Sequence, residues 1–284
     1  MQNGRSIEMR NSLSRIVTHG IVAGGALFMM LPFFWMLSAA VKRREDIFVL
    51  PPVWIPQEIL WQNFVEVWTT VPMAQAYVNS LKIAGTVTLA TLATSSLAAY
   101  AFAKIEFPGK RISFVTLMAT IMIPSQATLI PVYILMRHIG WIDTHWPLIV
   151  PPALTNAFGV FLLRQFFMSV PDELIDAARI EGANPFQIYL RVAIPIVRPA
   201  LVTLAIFTFL GNWNSFLTPL IYINSEELWT VPLLISNFQD AYGVDTEWSL
   251  LMAASSLALI PVLIVYIFSQ RYFIEGVALT GLKG

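Results

Sequence analysis

Cysteine is absent from the 284 residues, which excludes a disulfide framework, a thiolate nucleophile and a thiolate metal site. Charge is scarce: Asp, Glu, Lys and Arg together make up 12% of the chain, against about 25% in soluble domains. The three histidines, His19, His138 and His145, fall at no metal-ligand spacing. Formal charges cancel at neutral pH, and no basic stripe marks a nucleic-acid surface. A nucleotide cradle is missing as well. Gly109-Lys110 is followed by Arg111 rather than Ser or Thr and lacks the earlier glycine, so no Walker A loop is present. No Ser/His/Asp or Cys/His set suggests nucleophilic catalysis.

What the chain has instead is apolar length. Hydrophobic residues reach 57% and the mean hydropathy is +0.68, the composition of an integral membrane protein. Long apolar runs, rather than alternating ten-residue strands, carry this hydrophobicity, so the expected class is all-α with spanning helices. Six spans are predicted, at about 20–41, 79–103, 113–136, 147–167, 200–223 and 249–269, within a single transmembrane domain covering 1–284. The first also fits a signal peptide ending near Ser38-Ala39-Ala40, but its apolar run is longer than a usual signal core, which favours an uncleaved span. The second is rich in small residues that favour close helix packing, and its Lys82 is expected to snorkel to the headgroups. The third is interrupted at Pro124-Ser125-Gln126 and again at Pro131, which predicts a kink or break. The fourth contains Pro151-Pro152 and Thr155-Asn156.

Six spans put both termini on one side. That side collects Arg5, Arg10, Arg15, Lys104, Lys110, Arg111, Arg164, Arg179, Arg191, Arg198, Arg271 and Lys283, whereas the other has Lys42, Arg43, Arg44 and Arg137. The positive-inside rule places both termini in the cytoplasm; Lys42-Arg43-Arg44 dissents, with Glu45 and Asp46 adjoining it. No Asp or Glu falls within any predicted span, which argues against proton or sodium coupling through intramembrane carboxylates. The polar residues that do fall there are the pathway candidates. Asn212 and Asn214 straddle Trp213, and Gln126 and Asn156 are further amides. A dry, unpaired amide costs roughly 2–7 kcal/mol, so each must meet a neighbouring helix or a wet cavity. Both readings are open; amides and an indole face also suit sugar hydroxyls and a sugar ring.

The segment 171–199, between the fourth and fifth spans, is neither apolar enough to span nor polar enough to be a tether. Ser169 is expected to cap a helix whose first turn holds Pro171, Asp172 and Glu173. Gly182 supplies the stop, and Asn184-Pro185 opens a second helix. By pattern alone this is an amphipathic connector at the headgroups or a docking element.

Asp176-Ala177-Ala178, then Gly182, then Val192, Ile194 and Pro195, resembles the EAA loop of ABC importer permeases, with Asp in place of the usual Glu. Further stretches are similar to carbohydrate-type permeases of the maltose and glycerol-3-phosphate class, in particular the second, MalG-like subunit. They are Asn79-Ser80-Leu81, AYAFAKIEFPGKR at 99–111, LLRQFF at 162–167, FLGNWNSFLTPL at 209–220 and the tail QRYFIEGVALTGLKG at 270–284. The resemblance implies a type I importer permease fold, with 171–199 as a coupling loop contacting an ATPase through Asp176, Ala177, Ala178, Gly182 and Pro195. It implies a second permease subunit, two ATP-binding-cassette subunits carrying ATP and Mg²⁺, and an extracytoplasmic substrate-binding protein touching the loop 224–248. It also implies that the C-terminal tail reaches the ATPase interface. No cofactor is expected on this chain. The function implied is sugar import by alternating access; a membrane scaffold and a secondary transporter are the alternatives.

Overall fold

The computed structural model describes residues 2–154, 156–241 and 247–281, with side chains over 15–154, 156–238 and 247–270. Arg5, Arg10, Thr155, Arg271, Lys283 and the tail's side chains therefore lie outside the described residues. The chain is helical: α1 Gln2–Ala40, α2 Gln62–Thr70, α3 Met73–Lys104, α4 Lys110–Ile121, α5 Ser125–His138, α6 Trp146–Leu154, α7 Ala157–Met168, α8 Asp172–Ile180 and α9 Pro185–Ile188. A π turn at Tyr189–Ala193 leads to α10 Ile194–Ile196, followed by α11 Arg198–Trp213, α12 Leu217–Tyr222, α13 Val231–Ala241, α14 Trp248–Ala258 and α15 Ile260–Gly281. No strand occurs among the described residues.

Four stretches are long and apolar enough to cross a membrane: Arg15–Ala40, Met73–Lys104, Trp146–Met168 and Trp248–Gln270. Two bent pairs raise the total to as many as six when each pair is counted as one span. The first, α4 with α5, turns by 98° at the predicted break, where Pro124 lacks the N–H that would continue the helix. Pro131, by contrast, is carried within α5 without ending it. The second pair joins Pro185–Ile196 to Arg198–Trp213 at 81°. This corrects the expected span at 200–223: the helix stops at Trp213 and restarts at Leu217. Pro219 fits the restart: it sits in the first turn of α12, where its missing N–H costs nothing, whereas in a continuous helix its ring would crowd the Ser215 carbonyl.

The chain forms two compact units, Met1–Val71 with Phe238–Leu257 and Pro72–Asn237 with Ala258–Gly284. In the first, the basic cluster after α1 is engaged by neighbouring groups. Lys42 is 1% exposed; its ammonium donates to the Val53 carbonyl and sits 4.4 Å from the Trp35 ring centre. Arg43 pairs with Glu58, and Arg44 lies 3.1 Å from Glu247. The Asn63 amide closes α1 by donating to the carbonyls of Ala40 at 2.9 Å and Lys42 at 3.1 Å.

In the second unit α3 is the axis, and α6, α7 and α11 pack on it. Its buried face is Ala84, Thr88, Thr91, Ser95, Ser96 and Ala99, small enough for backbones to approach. Gly159 of α7 is the tightest point: an added Cβ would lie 2.9 Å from Ser95 Oγ and 3.0 Å from Leu204 Cδ2. In the last turn of α6 the carbonyls of Pro152 and Ala153 accept hydrogen bonds from α3. Thr91 and Thr94 of α3 supply hydroxyls at 3.3 and 2.7 Å, which matters where no water can substitute.

Candidate functional site

At one end of the second unit, α8 and α9 form an exposed helix–turn–helix. Asp172 and Glu173 in the first turn complement the positive end of α8. Its C-terminus is a Schellman motif: Gly182 N–H donates to Arg179 O and Ala183 N–H to Ala178 O, both at 3.0 Å. Gly182 takes φ +83°, the left-handed conformation that glycine adopts without a Cβ penalty. Asn184 then starts α9 with a capping box, its side chain accepting from Gln187 N–H and the Gln187 side chain accepting from Asn184 N–H, each at 2.9 Å. One expected detail differs. Ser169 does not cap α8; it ends α7, its hydroxyl donating to Phe166 O at 2.8 Å, and Pro171 occupies the cap of α8. Two residues separate Ser169 from α8, too few for its side chain to avoid the carbonyls of the helix it terminates.

Two links hold this element to α3. The Lys104 side chain, 7% exposed, donates to Asp172 Oδ1 and to Val170 O, each at 2.6 Å. That hydrogen bond and charge hold the Asp172 carboxyl below the usual carboxylate range. Tyr189 OH lies 2.7 Å from Ser96 Oγ, and its ring packs against Tyr100 and Phe167 in an apolar cluster that includes Ile175 and Ile188. Ile194 N–H reaches back to Tyr189 O. This widened turn precedes Pro195 and relieves the clash that proline imposes on the preceding turn.

The other face of the element points outward. Asp176 and Ala177 are exposed, as are Leu174 and Phe186, and Ile180 is 88% exposed. Ala178 is half-buried, and Gly182 and Pro195 are exposed. Asp176 Oδ1 lies 3.0 Å from Arg179 Nη1 on the surface. Lys104, Tyr189 and Ser96 carry no local sequence signal, since each partner is distant in the chain.

The pathway candidates separate. Asn212 lines a cavity of about 230 Å³ with Ser80, Thr218, Tyr222 and Thr230, whose buried hydroxyl has no hydrogen-bond partner. Gln126 lines a second cavity of about 380 Å³ that shares Pro151, Pro152, Thr218 and Tyr222 with the first. Trp213 is 2% exposed, donates to Ala258 O at 3.1 Å and packs on Tyr77 and Phe209, so its indole is used in helix packing. Asn156 caps α7 by accepting from Gly159 N–H at 2.6 Å. Asn214 is exposed and donates to Leu210 O at 2.9 Å.

At the end of α3 opposite the helix–turn–helix, polar contacts fix the segment 222–231. Asp143, at φ 59°, donates its N–H to Tyr222 O at 2.8 Å. Its carboxylate accepts from Asn224 N–H at 2.9 Å, from Ser225 N–H at 2.8 Å and from the Ser225 hydroxyl, which hold it below the usual range. His145 Nε2 donates to Leu228 O at 2.9 Å while its Nδ1 faces Lys82 Nζ at 3.2 Å. Lys82 is thus engaged with His145 rather than simply extended to headgroups. Asn79 donates to Glu227 O and Trp229 O at 2.8 and 2.9 Å.

Residues 91–278, which contain the helix–turn–helix and most of the residues lining the cavities, match the model of the binding-protein-dependent transport system inner membrane component family. The chain is 33% identical over 258 residues to the probable ABC transporter permease protein YurM of Bacillus subtilis, covering 89% of this chain and 83% of that one. It is 31% identical over 276 residues to the sn-glycerol-3-phosphate transport system permease protein UgpE of Pectobacterium atrosepticum, covering 95% and 98%. To the arabinooligosaccharides permease protein AraQ of Halalkalibacterium halodurans it is 32% identical over 230 residues, 81% of each chain. The fold matches a chain in the crystal structure of a bacterial ABC transporter involved in alginate import, with TM-score 0.82 at 24% identity over 91% of this chain and 95% of that one. This chain belongs to the binding-protein-dependent transport system inner membrane components, as a non-catalytic permease subunit of an ABC importer.

Proposed function

We propose that this permease carries a sugar or sugar derivative, a mono- or oligosaccharide or a polyol phosphate, from an extracytoplasmic binding protein to the cytoplasm. Relatives named for glycerol phosphate and for arabinooligosaccharides support that cargo class. The observation that carries the reading is the helix–turn–helix at 172–188, rigidly capped, tied to α3 and outward-facing at Asp176, Ala177 and Ile180. Such an element suits docking to an ATPase subunit. A second permease subunit completes a heterodimer, and two ATPase subunits hold ATP and Mg²⁺. The whole chain acts as one transmembrane domain with both termini in the cytoplasm, a placement supported by the charge asymmetry, by the burial of Lys42 and by the pairing of Arg43 and Arg44 with carboxylates.

In this reading ATP closes the ATPase dimer, and the docked α8 is carried with it. Lys104 and Tyr189 pass the displacement to α3, and the helices packed on α3 rock between outward and inward openings. The lever works only if docking differs between the two states. Cargo passes Asn212, Thr218, Thr230 and Gln126, whose amides and hydroxyls match sugar hydroxyls as donors and acceptors. Asn214 belongs to the same pathway on the exposed end of α11, Trp213 anchors α11 behind it through Ala258 and Tyr77, and Asn156 fixes the start of α7. The segment 222–231, held by Asp143, His145 and Asn79, offers the binding protein a fixed surface.

The test is the assembled transporter in proteoliposomes with Gly182→Pro or Asp176→Lys. Import should be lost while the complex stays in the membrane and basal ATP hydrolysis continues. Wild-type import by both variants would refute the coupling role.

A further inference from the structure

Beside the turn between α3 and α4, on the same end of the unit as α8, lies a cavity of about 560 Å³ that the transport reading leaves unused. Lys110, Arg111 and Arg164 line it against one carboxylate, Glu106, which is taken up by Lys110 at 2.8 Å. Arg111 and Arg164 form no ion pair among the described residues. Arg164 is a half-buried cation near the end of an apolar helix, a placement costly enough to demand a partner. Its Nε donates to Phe102 O at 3.2 Å and its guanidinium lies 4.3 Å from the Phe114 ring centre. These contacts hold the guanidinium plane in place without neutralising it. Phe102, Phe107 and Phe114 form the apolar walls. From the mouth, Ile112 at 75% and Val115 at 59% exposure continue an apolar track along α4.

We propose that this cavity binds an anionic phospholipid, its headgroup phosphate between Arg111 and Arg164 and its acyl chains along the Ile112–Val115 face of α4. The charge excess calls for an anion, and planar guanidinium groups suit phosphate oxygens. The position at the end of two spanning helices puts the cavity at headgroup depth, where basic pockets between helices take anionic lipids. The apolar track separates a lipid from a free phosphate, which has no use for it. Arg164 is thereby given the counter-ion that the chain itself does not supply.

The experiment is native mass spectrometry of the assembled transporter extracted from membranes containing phosphatidylglycerol, followed by washing with phosphatidylcholine-loaded detergent. The wild type should retain phosphatidylglycerol. Arg111→Gln and Arg164→Gln should each lower the retained fraction about five-fold, and Arg111→Lys should keep it. Arg111 is exposed, so its variants leave the helix packing intact even if an Arg164 variant misfolds. Equal retention by wild type and Arg111→Gln overturns the proposal. Displacement of the lipid by inorganic phosphate overturns it in favour of a soluble anion. Loss of a partner subunit from Arg111→Gln with lipid retention unchanged overturns it in favour of a protein contact.

Discussion

The Lys104 ammonium lies 2.6 Å from the Asp172 carboxylate, closing sixty-eight residues of chain between the end of α3 and the first turn of α8. The same ammonium also binds Val170 O at 2.6 Å, so one side chain fixes both the entry to α8 and its first turn. A surface ion pair alone contributes little, because solvent screens it. Here the lysine side chain is 7% exposed, and its contact with the Val170 carbonyl is part-buried. Lys104→Met should therefore reduce import several-fold while ATP hydrolysis persists, and Lys104→Arg should restore part of it. Import rate divided by hydrolysis rate, measured in proteoliposomes, checks this; an unchanged ratio for Lys104→Met would remove Lys104 from the coupling path.

Burial holds the His145 pKa below its ordinary value, with Lys82 acting in the same direction and the bond to Leu228 O opposing it. A histidine with a lowered folded pKa binds fewer protons than the unfolded chain below about pH 6.5, so stability falls as pH drops through that value. The contact with the segment 222–231 should be intact at neutral pH and weaken on acidification below about 6.5. Amide protection around Leu228, the exchange rate relative to the intrinsic rate at each pH, should fall over that window in the wild type and be flat in His145→Gln. The same pH dependence in both proteins would assign it to another group.

Gly159 sets the approach of α7 to α3 and α11. Gly159→Ala should destabilise by about 1–3 kcal/mol through overpacking, seen as a lower melting temperature of the detergent-solubilised protein. Gly85→Ala on α3, where an added Cβ meets nothing within 4 Å, should be neutral or slightly stabilising. Equal effects at the two positions would show that α7 has room to move.

Asn212 and Trp213 are neighbours with opposite surroundings. Asn212→Ala should raise the KM for import about five-fold, the loss of roughly one neutral hydrogen bond to cargo. Trp213→Phe keeps an apolar ring but removes the bond to Ala258 O and part of the buried indole volume, so it should lower stability by about 1–3 kcal/mol and leave KM unchanged. A reversed pattern would place the indole, not the amide, in the pathway.

Local features of the chain were legible in its sequence. Gly182 and the Asn184–Gln187 box act through contacts three to five residues away, so their residue types carry the geometry with them. The break at Pro124 follows from a missing N–H, and the helical class from the length of the apolar runs. The Asp-Ala-Ala-Gly resemblance pointed to the segment that forms the exposed helix–turn–helix. The tertiary structure alone decided the rest. It assigned Trp213 to packing and Asn212 to a cavity, although adjacent helical residues look alike in composition and differ only in the face they present. It moved Ser169 from the start of α8 to the end of α7, and it stopped the fifth span at Trp213. It joined Lys104 to Asp172, Tyr189 to Ser96, and Arg164 to Phe102 and Phe114. These pairs are set by which helices lie side by side on α3, and that order depends on packing across the whole unit rather than on any short stretch of chain.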